Sequence, residues 1–242
     1  MRPRHGHGRC MAPVRRPWTG RFRRTCLAFA VLLVGCLASP FLLVGCGGSS
    51  AEPSTAPTFA GISREPPPQV DHTPLPNVAE SGAPVEIRAQ APGALMLVYF
   101  GYTFCPDVCP TTLSDVRRAL GRLAPRERRR VQVAMVTVDP RRDTPKALTR
   151  YVHAFFPAGL ALRTTNARAL ARVARSLGAA YQVTRKRDGT VEVVHTAFVY
   201  AVDHEGRLRL QWSYGTKPAA LRRDIHLLLE EQRPATSPRV DG

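Results

Sequence analysis

An uncharged apolar run directly precedes a pair of cysteines near the middle of the chain. The run is LMLVYF at residues 95–100, Gly101 ends it, and Cys105 and Cys109 fall within the next eight residues. A short apolar run bounded by a turn residue is typical of a buried strand. The stretch that follows, 111–123, is predicted to be a helix. Because open α/β sheets bind ligands beyond the carboxyl ends of their strands, this junction is the first candidate for a functional site.

The rest of the folded part alternates between strand-like and helix-like segments. Thr144 and Pro145 provide an N-cap and a first helical residue, and the turn Asp188-Gly189 separates two extended pieces. The predicted segments are a strand at 131–138, helices at 145–155 and 166–177, extended pieces at 181–184 and 191–194, a hairpin at 198–202 and 207–212, and a last helix at 218–231. This order predicts an α/β fold with a thioredoxin-like central sheet and flanking helices.

The first 46 residues have the pattern of an export signal or a membrane anchor. Residues 1–24 contain eight arginines and no acidic residue, and an apolar run at 27–45 follows. The basic flank of such a pattern stays in the cytoplasm. The sequence LVGC ending at Cys46 resembles a bacterial lipobox and predicts lipidation of Cys46, whereas after the similar LVGC ending at Cys36 the apolar sequence resumes. An uncleaved helix is the alternative, and both place the remaining chain on the extracytoplasmic face of a cell membrane.

Composition divides the remainder into three parts. Residues 47–84 are rich in Pro, Ser and Gly and are predicted to be a linker, 85–232 to be the folded domain, and 233–242 to be a disordered tail.

Of the six cysteines, three lie in the leader and Cys46 is the lipidation candidate. The folded domain therefore has one closely spaced pair, and it is not a scaffold of several disulfides.

The formal net charge of +17 does not indicate a nucleic-acid-binding protein. Eight of the 35 lysines and arginines lie in the leader, and the others are scattered over the folded part. No aromatic residues are interleaved with them to form a platform on which bases stack. We therefore expect no nucleic-acid partner, and a solvated basic surface that attracts acidic groups.

The spacing of Cys105 and Cys109 separates several candidate chemistries. Redox enzymes of the thioredoxin type use C-x-x-C, whereas three residues intervene here. In a helical turn, residues i and i+4 lie on one face, so both sulfurs are expected to point at one ion. A helix N-terminus is also expected to lower the pKa of a thiol. A structural zinc site needs four ligands, so a soft ion of low coordination, such as Cu(I), fits better. A simple disulfide and a dithiol reductase remain alternatives.

A third ligand is expected from among the seven histidines. His195 stands just before the predicted strand at 198–202. In thioredoxin-like folds, the loop that enters this strand faces the cysteine-bearing loop. His195 is therefore the strongest candidate by position, while the other histidines have places typical of structural or solvated side chains.

Three segments occur in a fixed order: GYTFCPDVCPTTL, VTVDPRRDTP and VVHTAFVYAVD. Together they resemble the Sco/SenC family, whose members are copper chaperones for cytochrome c oxidase assembly, and the resemblance covers about 83–229. It implies that Cys105, Cys109 and His195 bind copper, as Cu(I), Cu(II) or both. It also implies the copper-bearing subunit of the oxidase as the partner.

The sequence departs from the family pattern beside the histidine. The family has Asp before it and Ser after it, whereas this chain has Val194 and Thr196. Loss of the carboxylate removes a group that orients the imidazole or attracts a cation. Asp107, between the cysteines, is interpreted either as a charge near the metal or a partner contact, or as a turn residue. Asp139 ends a strand near the site, and Asp143 and Thr144 are interpreted mainly as turn and cap residues.

These patterns support one main function and two alternatives. The main hypothesis is a membrane-tethered, extracytoplasmic metallochaperone that delivers copper to the binuclear copper centre of cytochrome c oxidase. The first alternative is a thiol-disulfide oxidoreductase that acts on the oxidase's copper-site cysteines and is itself served by a thiol reductant protein. The second is a copper or redox sensor. Whether the protein is an enzyme stays open, with metal transfer favoured over catalysis.

Overall fold

The computed structural model describes residues 58–232. The predicted leader, Cys46, residues 47–57 of the predicted linker and the tail at 233–242 lie outside this range. The elements, in chain order, are β1 (Leu75–Asn77), β2 (Ala83–Val85), β3 (Leu95–Gly101), α1 (Val108–Leu120), α2 (Pro125–Arg128), β4 (Val131–Thr137), α3 (Pro145–Phe155), β5 (Leu160–Leu162), α4 (Ala167–Ser176), β6 (Tyr181–Arg185), β7 (Val191–His195), β8 (Phe198–Val202), β9 (Leu208–Ser213) and α5 (Pro218–Glu231).

A seven-stranded sheet forms the centre of the domain, in the order β2-β1-β5-β4-β3-β8-β9. Strand β3 lies parallel to β4 and antiparallel to β8. All seven residues of β3 are buried, because alternate side chains enter the apolar layers on the two faces of the sheet. One layer contains buried residues of α1, α3 and α5, and the other contains those of α4. The predicted α/β, thioredoxin-like fold is confirmed.

Strands β6 and β7 form a separate antiparallel ribbon. They pair with each other, with Tyr181 opposite His195 and Arg185 opposite Val191. Within residues 58–232, neither strand joins the seven-stranded sheet. The sequence predicted the two extended pieces and the turn between them, and this ribbon carries one of the predicted ligands.

The helix boundaries follow local sequence signals. Helix α3 begins at Pro145, and the side chain of Thr144 accepts a hydrogen bond from the backbone of Ala147 at 3.2 Å, as expected for an N-cap. Helix α5 spans the predicted 218–231. Among residues 58–232, no helix combines the length and the apolar character needed to cross a bilayer.

The predicted boundary between linker and domain needs correction, because residues 58–84 belong to the fold. Val70 and Leu75 are buried, and Ile62 forms a bridge to β9 at one sheet edge. At the other edge, Pro76 and Pro84 lie opposite each other in the β1–β2 pair. Proline lacks a backbone donor and is tolerated in edge strands, so a proline-rich composition did not exclude strands here.

Candidate metal centre

The cysteine loop leaves β3 through Gly101. A Cβ atom at this position would lie 2.8 Å from a ring carbon of Tyr99 and 3.1 Å from both the Sγ of Cys109 and the methyl group of Met135. A larger residue would therefore displace the first turn of α1 or the core beneath it. Glycine at this position lets the helix that carries Cys109 pack directly against the end of the strand.

A buried carboxylate fixes the next part of the loop to the neighbouring strand. Asp143 is fully buried and accepts hydrogen bonds from the hydroxyl of Thr103 at 2.6 Å and from its backbone N–H at 3.1 Å. It also accepts one from the hydroxyl of Thr137, in β4, at 2.5 Å. Asp143, which the sequence indicated to be a turn residue, therefore also ties the cysteine loop to β4.

The two cysteines lie close together without sharing a helical turn. Helix α1 begins at Val108, so Cys109 belongs to its first turn while Cys105 lies in the preceding loop. This corrects the expectation that both sulfurs project from one helix face. The backbone N–H of Cys109 donates to the Sγ of Cys105 at 3.3 Å. Both are free thiols, Cys109 with no exposed surface and Cys105 half-buried.

His195 reaches the cysteines from the end of β7. Its Nε2 lies 3.6 Å from the Sγ of Cys109. Its Nδ1 lies 3.2 Å from the carbonyl oxygen of Thr196, which only accepts, so Nδ1 carries the proton and Nε2 carries a free lone pair. The rings of Tyr99 and Tyr102 contact the imidazole edge-on, each with 6.0 Å between centroids. The imidazole is therefore held with its unprotonated nitrogen toward the thiols.

Burial controls the protonation of the site. It raises the pKa of the Cys109 thiol to about 12 and lowers the pKa of His195, because the charged forms lose solvation. The expectation that the helix N-terminus lowers the thiol pKa is therefore wrong for Cys109. Without metal, this thiol and the imidazole are both neutral at pH 7, and a metal must displace the thiol proton in order to bind.

The three side chains fit a soft metal ion. One ligand atom from each of Cys105, Cys109 and His195 lies within 4.8 Å of the other two. Two sulfurs and an imidazole nitrogen at this separation need only a small inward movement to bind one ion. Thiolate donors select Cu(I) over hard cations, and three ligands are one fewer than structural zinc prefers.

Comparisons with known proteins agree with this geometry. The SCO1/SenC family model matches residues 77–230, which is more than half of the chain. This chain belongs to the SCO1/SenC family. A relative from Stutzerimonas stutzeri, named for copper binding, is 34% identical over 141 residues, which are 58% of this chain and 69% of that protein. The chain spans about half the length of the mitochondrial relatives from Bos taurus and Mus musculus.

Solved structures of the family share the fold. The apo Sco1 protein from Thermus thermophilus is 38% identical, with a TM-score of 0.60 over 70% of this chain and 95% of that one. The ScoI protein from Bradyrhizobium japonicum, solved with copper bound, is 27% identical, with a TM-score of 0.56 over 68% of this chain and 99% of that one. The resemblance seen in the three sequence segments is thereby confirmed.

The other acidic residues of the SCO1/SenC segments have distinct places. Asp107 is exposed and accepts a hydrogen bond from the hydroxyl of Thr111 at 3.2 Å, which is a local contact at the start of α1. Asp139 is buried at the end of β4 and forms ion pairs with Arg142 and Arg185. The sequence did not predict the second pair, because its members are 46 positions apart.

Exposed apolar side chains lie on both the cysteine loop and the ribbon. Phe104, on the loop, has 59% of its surface exposed, and Val194, on β7, has 71%. The guanidinium of Arg142 lies 5.0 Å from the ring centroid of Phe104 and 5.7 Å from that of Tyr102. Val194 presents an apolar side chain to solvent on the face of β7 opposite His195, at the position where the resemblance to the family implies a carboxylate.

A second group of ligand-type residues lies between α2 and α5. It consists of Glu127, His226 and Glu230. Glu127 and His226 are already hydrogen-bonded to each other, and the other carboxylate oxygen of Glu127 accepts from the backbone of Ala124 at 2.9 Å. These contacts account for the cluster as a link between two helices, and the cysteine–histidine group remains the candidate metal centre.

Proposed function

We propose that this protein is an extracytoplasmic copper chaperone that delivers copper to the binuclear copper centre of cytochrome c oxidase. The observation that carries the proposal is the convergence of two thiols and an unprotonated imidazole nitrogen within 4.8 Å. Copper is the metal that this donor set selects, and it is the metal bound in the Bradyrhizobium japonicum relative. Membership of the SCO1/SenC family supports a role in oxidase assembly.

The unequal burial of the ligands suits transfer by ligand exchange. Cys109 is buried, Cys105 is half-buried, and His195 lies at the end of a ribbon outside the main sheet. An incoming ligand from the acceptor is expected to replace the imidazole first, because the ribbon moves more easily than β3 and α1. The thiolates then exchange in turn, so copper stays coordinated throughout.

The predicted leader supports the proposed location. A basic flank, an apolar run and the lipobox-like sequence at Cys46 favour export and anchoring at the outer face of a cell membrane. Tethering would raise the effective concentration of the donor near a membrane-bound acceptor. Cell fractionation of the wild-type chain and of Cys46→Ala tests this part, because loss of the lipid releases the variant from the membrane unless the apolar helix is retained.

Copper binding and delivery are tested together with a matched histidine control. The full chain is solubilised in detergent and loaded with Cu(I). It is then mixed with the oxidase subunit that carries the binuclear copper centre, prepared without its copper. We expect one copper per chain and its transfer to the acceptor. His195→Ala is expected to bind Cu(I) more weakly, through the two thiolates alone, whereas His72→Ala, whose side chain is 61% exposed, is expected to bind it as the wild type does. Equal copper content and affinity in both variants would refute the proposal.

The thiols also support a second candidate, a dithiol reductase for the acceptor's cysteines. Both thiols are free and close, and the backbone N–H of Cys109 points at the more accessible Cys105 sulfur. In that reaction, the Cys105 thiolate attacks the acceptor disulfide and Cys109 resolves the mixed disulfide, so the acceptor is reduced and the pair is oxidised. Reduction that survives in His195→Ala favours this activity, and failure of the wild-type chain to reduce the acceptor excludes it.

A further inference from the structure

The β6–β7 ribbon needs an anchor to bring His195 to the cysteines. A two-stranded ribbon has little stability on its own, and this one shares no hydrogen-bonded ladder with the main sheet within residues 58–232. Near its base, Tyr181 and Val193 pack against the core. Arg185 lies four residues from Tyr181, about 14 Å further along the strand. A second contact at that distance would stop the ribbon from pivoting about its base.

Asp139 provides this second contact. It follows β4, has 1% of its surface exposed, and receives a hydrogen bond from the guanidinium of Arg185 at 2.7 Å. The other carboxylate oxygen of Asp139 accepts a hydrogen bond from Arg142. A buried carboxylate needs such partners, so two guanidinium groups from different parts of the chain are drawn to one point.

The same carboxylate also acts on the cysteine loop. The guanidinium of Arg142 lies over the rings of Tyr102 and Phe104, the latter directly preceding Cys105. Asp139 therefore contacts the ribbon through Arg185 and the cysteine loop through Arg142. The two parts of the metal centre share one buried charge.

We propose that Asp139 is a positioning residue that sets the distance between His195 and the cysteine pair, acting through Arg185 on the ribbon and through Arg142 on the loop. The inference rests on the proposed function in so far as copper is the ion held between them. The anchoring of the ribbon itself can be measured in the metal-free chain.

The chain offers a matched pair of ribbon variants. Arg185→Gln breaks the contact between the ribbon and Asp139. Lys186→Gln also removes one positive charge and one ion pair, but its partner, Glu192, lies within the ribbon itself. We expect Arg185→Gln to weaken Cu(I) binding roughly tenfold, as for other groups that orient a metal ligand, and Lys186→Gln to leave it unchanged within about twofold. Arg185→Lys is expected to restore part of the affinity.

Measuring the effect of Arg185→Gln with and without the His195 side chain identifies the ligand through which Arg185 acts. In His195→Ala, the Arg185→Gln change is expected to have no further effect on Cu(I) affinity, measured by chelator competition on the detergent-solubilised full chain. Asp139→Asn is expected to weaken binding more than Arg185→Gln and to keep part of its effect in His195→Ala, because the cysteine loop also depends on it. An equal loss from Arg185→Gln in both backgrounds would overturn the inference.

Amide hydrogen exchange of the metal-free chain separates this inference from the proposed function. Arg185→Gln is expected to speed exchange at residues 186–194 and to leave β3 and α1 unchanged, whereas unchanged exchange in the ribbon would refute the anchor. If the chain fails to deliver copper while Arg185→Gln still loosens the ribbon and still couples to His195, the anchor stands and the proposed function falls.

Discussion

The cysteine half and the histidine half of the metal centre are held in different ways. Cys109 follows a fully buried central strand, and Asp143 joins its loop to β4 through three neutral donors. His195 lies on a ribbon whose residues are half-buried or exposed. One half is thus part of the core, while the other depends on a few polar contacts. In the proposed copper donor, this difference would let two ligands hold the ion while the third is exchanged.

The largest expected effect is the loss of copper when either thiol is removed. Removing groups that only orient a ligand costs 10–100-fold in affinity, so Cys105→Ala and Cys109→Ala are each expected to weaken Cu(I) binding by more than about 100-fold. Only Cys109→Ala is expected to destabilise the metal-free domain, by about 1 kcal/mol, because its sulfur fills space in the core. Chelator competition and urea denaturation measure the two effects. Equal destabilisation by both variants would contradict the difference in burial.

The pH dependence of copper binding sharpens the comparison. The pKa of Cys109 is raised to about 12, so between pH 7 and 9 its thiol carries a proton that copper must release. The pKa of His195 is lowered below its usual 6.5, so the imidazole releases no proton in that range. Cu(I) affinity is therefore expected to rise at least tenfold per pH unit. His195→Ala keeps this slope, and an affinity independent of pH would show that Cys109 is already ionised.

Stability should respond more to the anchor of the cysteine half than to that of the ribbon. Asp143→Ala leaves the buried Thr137 hydroxyl and the half-buried hydroxyl and N–H of Thr103 without this partner, which is expected to cost about 2–4 kcal/mol in the free energy of unfolding. Arg185→Gln is expected to cost less than about 1 kcal/mol, because the ribbon is not part of the core. Urea denaturation measures both losses. With an unchanged dependence of the free energy on urea concentration, the shift in midpoint gives the change in the free energy of unfolding. If Arg185→Gln lowers the free energy of unfolding more than Asp143→Ala does, the ribbon and not the cysteine loop is the more rigidly held half.

The smallest effect on copper affinity is expected at Val194, where the resemblance to the family implies an Asp. Val194 is 71% exposed and, by strand alternation, points away from the face that carries His195. Val194→Asp is expected to raise Cu(II) affinity by no more than about fivefold, through a charge attraction of about 1 kcal/mol in solvent. High salt should remove the gain. A gain that persists in 1 M salt would indicate direct contact between the carboxylate and the metal.

Local signals in the sequence predicted most of the elements that build the cysteine half. The apolar run before Gly101 predicted β3, and Thr144-Pro145 predicted the start of α3. Strand β5 was not predicted, because three consecutive apolar residues show no alternation of apolar and polar side chains. Strands β1 and β2 were not predicted, because they lie in a proline-rich segment. Local sequence is therefore informative where an element is long or capped.

Long-range geometry was harder to predict. The position of His195 before β8 and the family resemblance indicated it as a ligand, but its 3.6 Å approach to Cys109 depends on the ribbon. The raised thiol pKa depends on how deeply α1 packs, which the CxxxC spacing does not encode. The Asp139–Arg185 pair joins residues 46 positions apart, and no local sequence pattern at either residue indicates its partner.

X-ray absorption at the copper edge tests the central claim most directly. The Cu(I)-loaded chain is predicted to show two sulfur scatterers and one nitrogen scatterer around a single copper, and His195→Ala to keep the sulfurs while losing the nitrogen. A wild-type spectrum fitted by two sulfurs alone, unchanged in His195→Ala, would show that the ribbon does not contribute a ligand and would contradict the account.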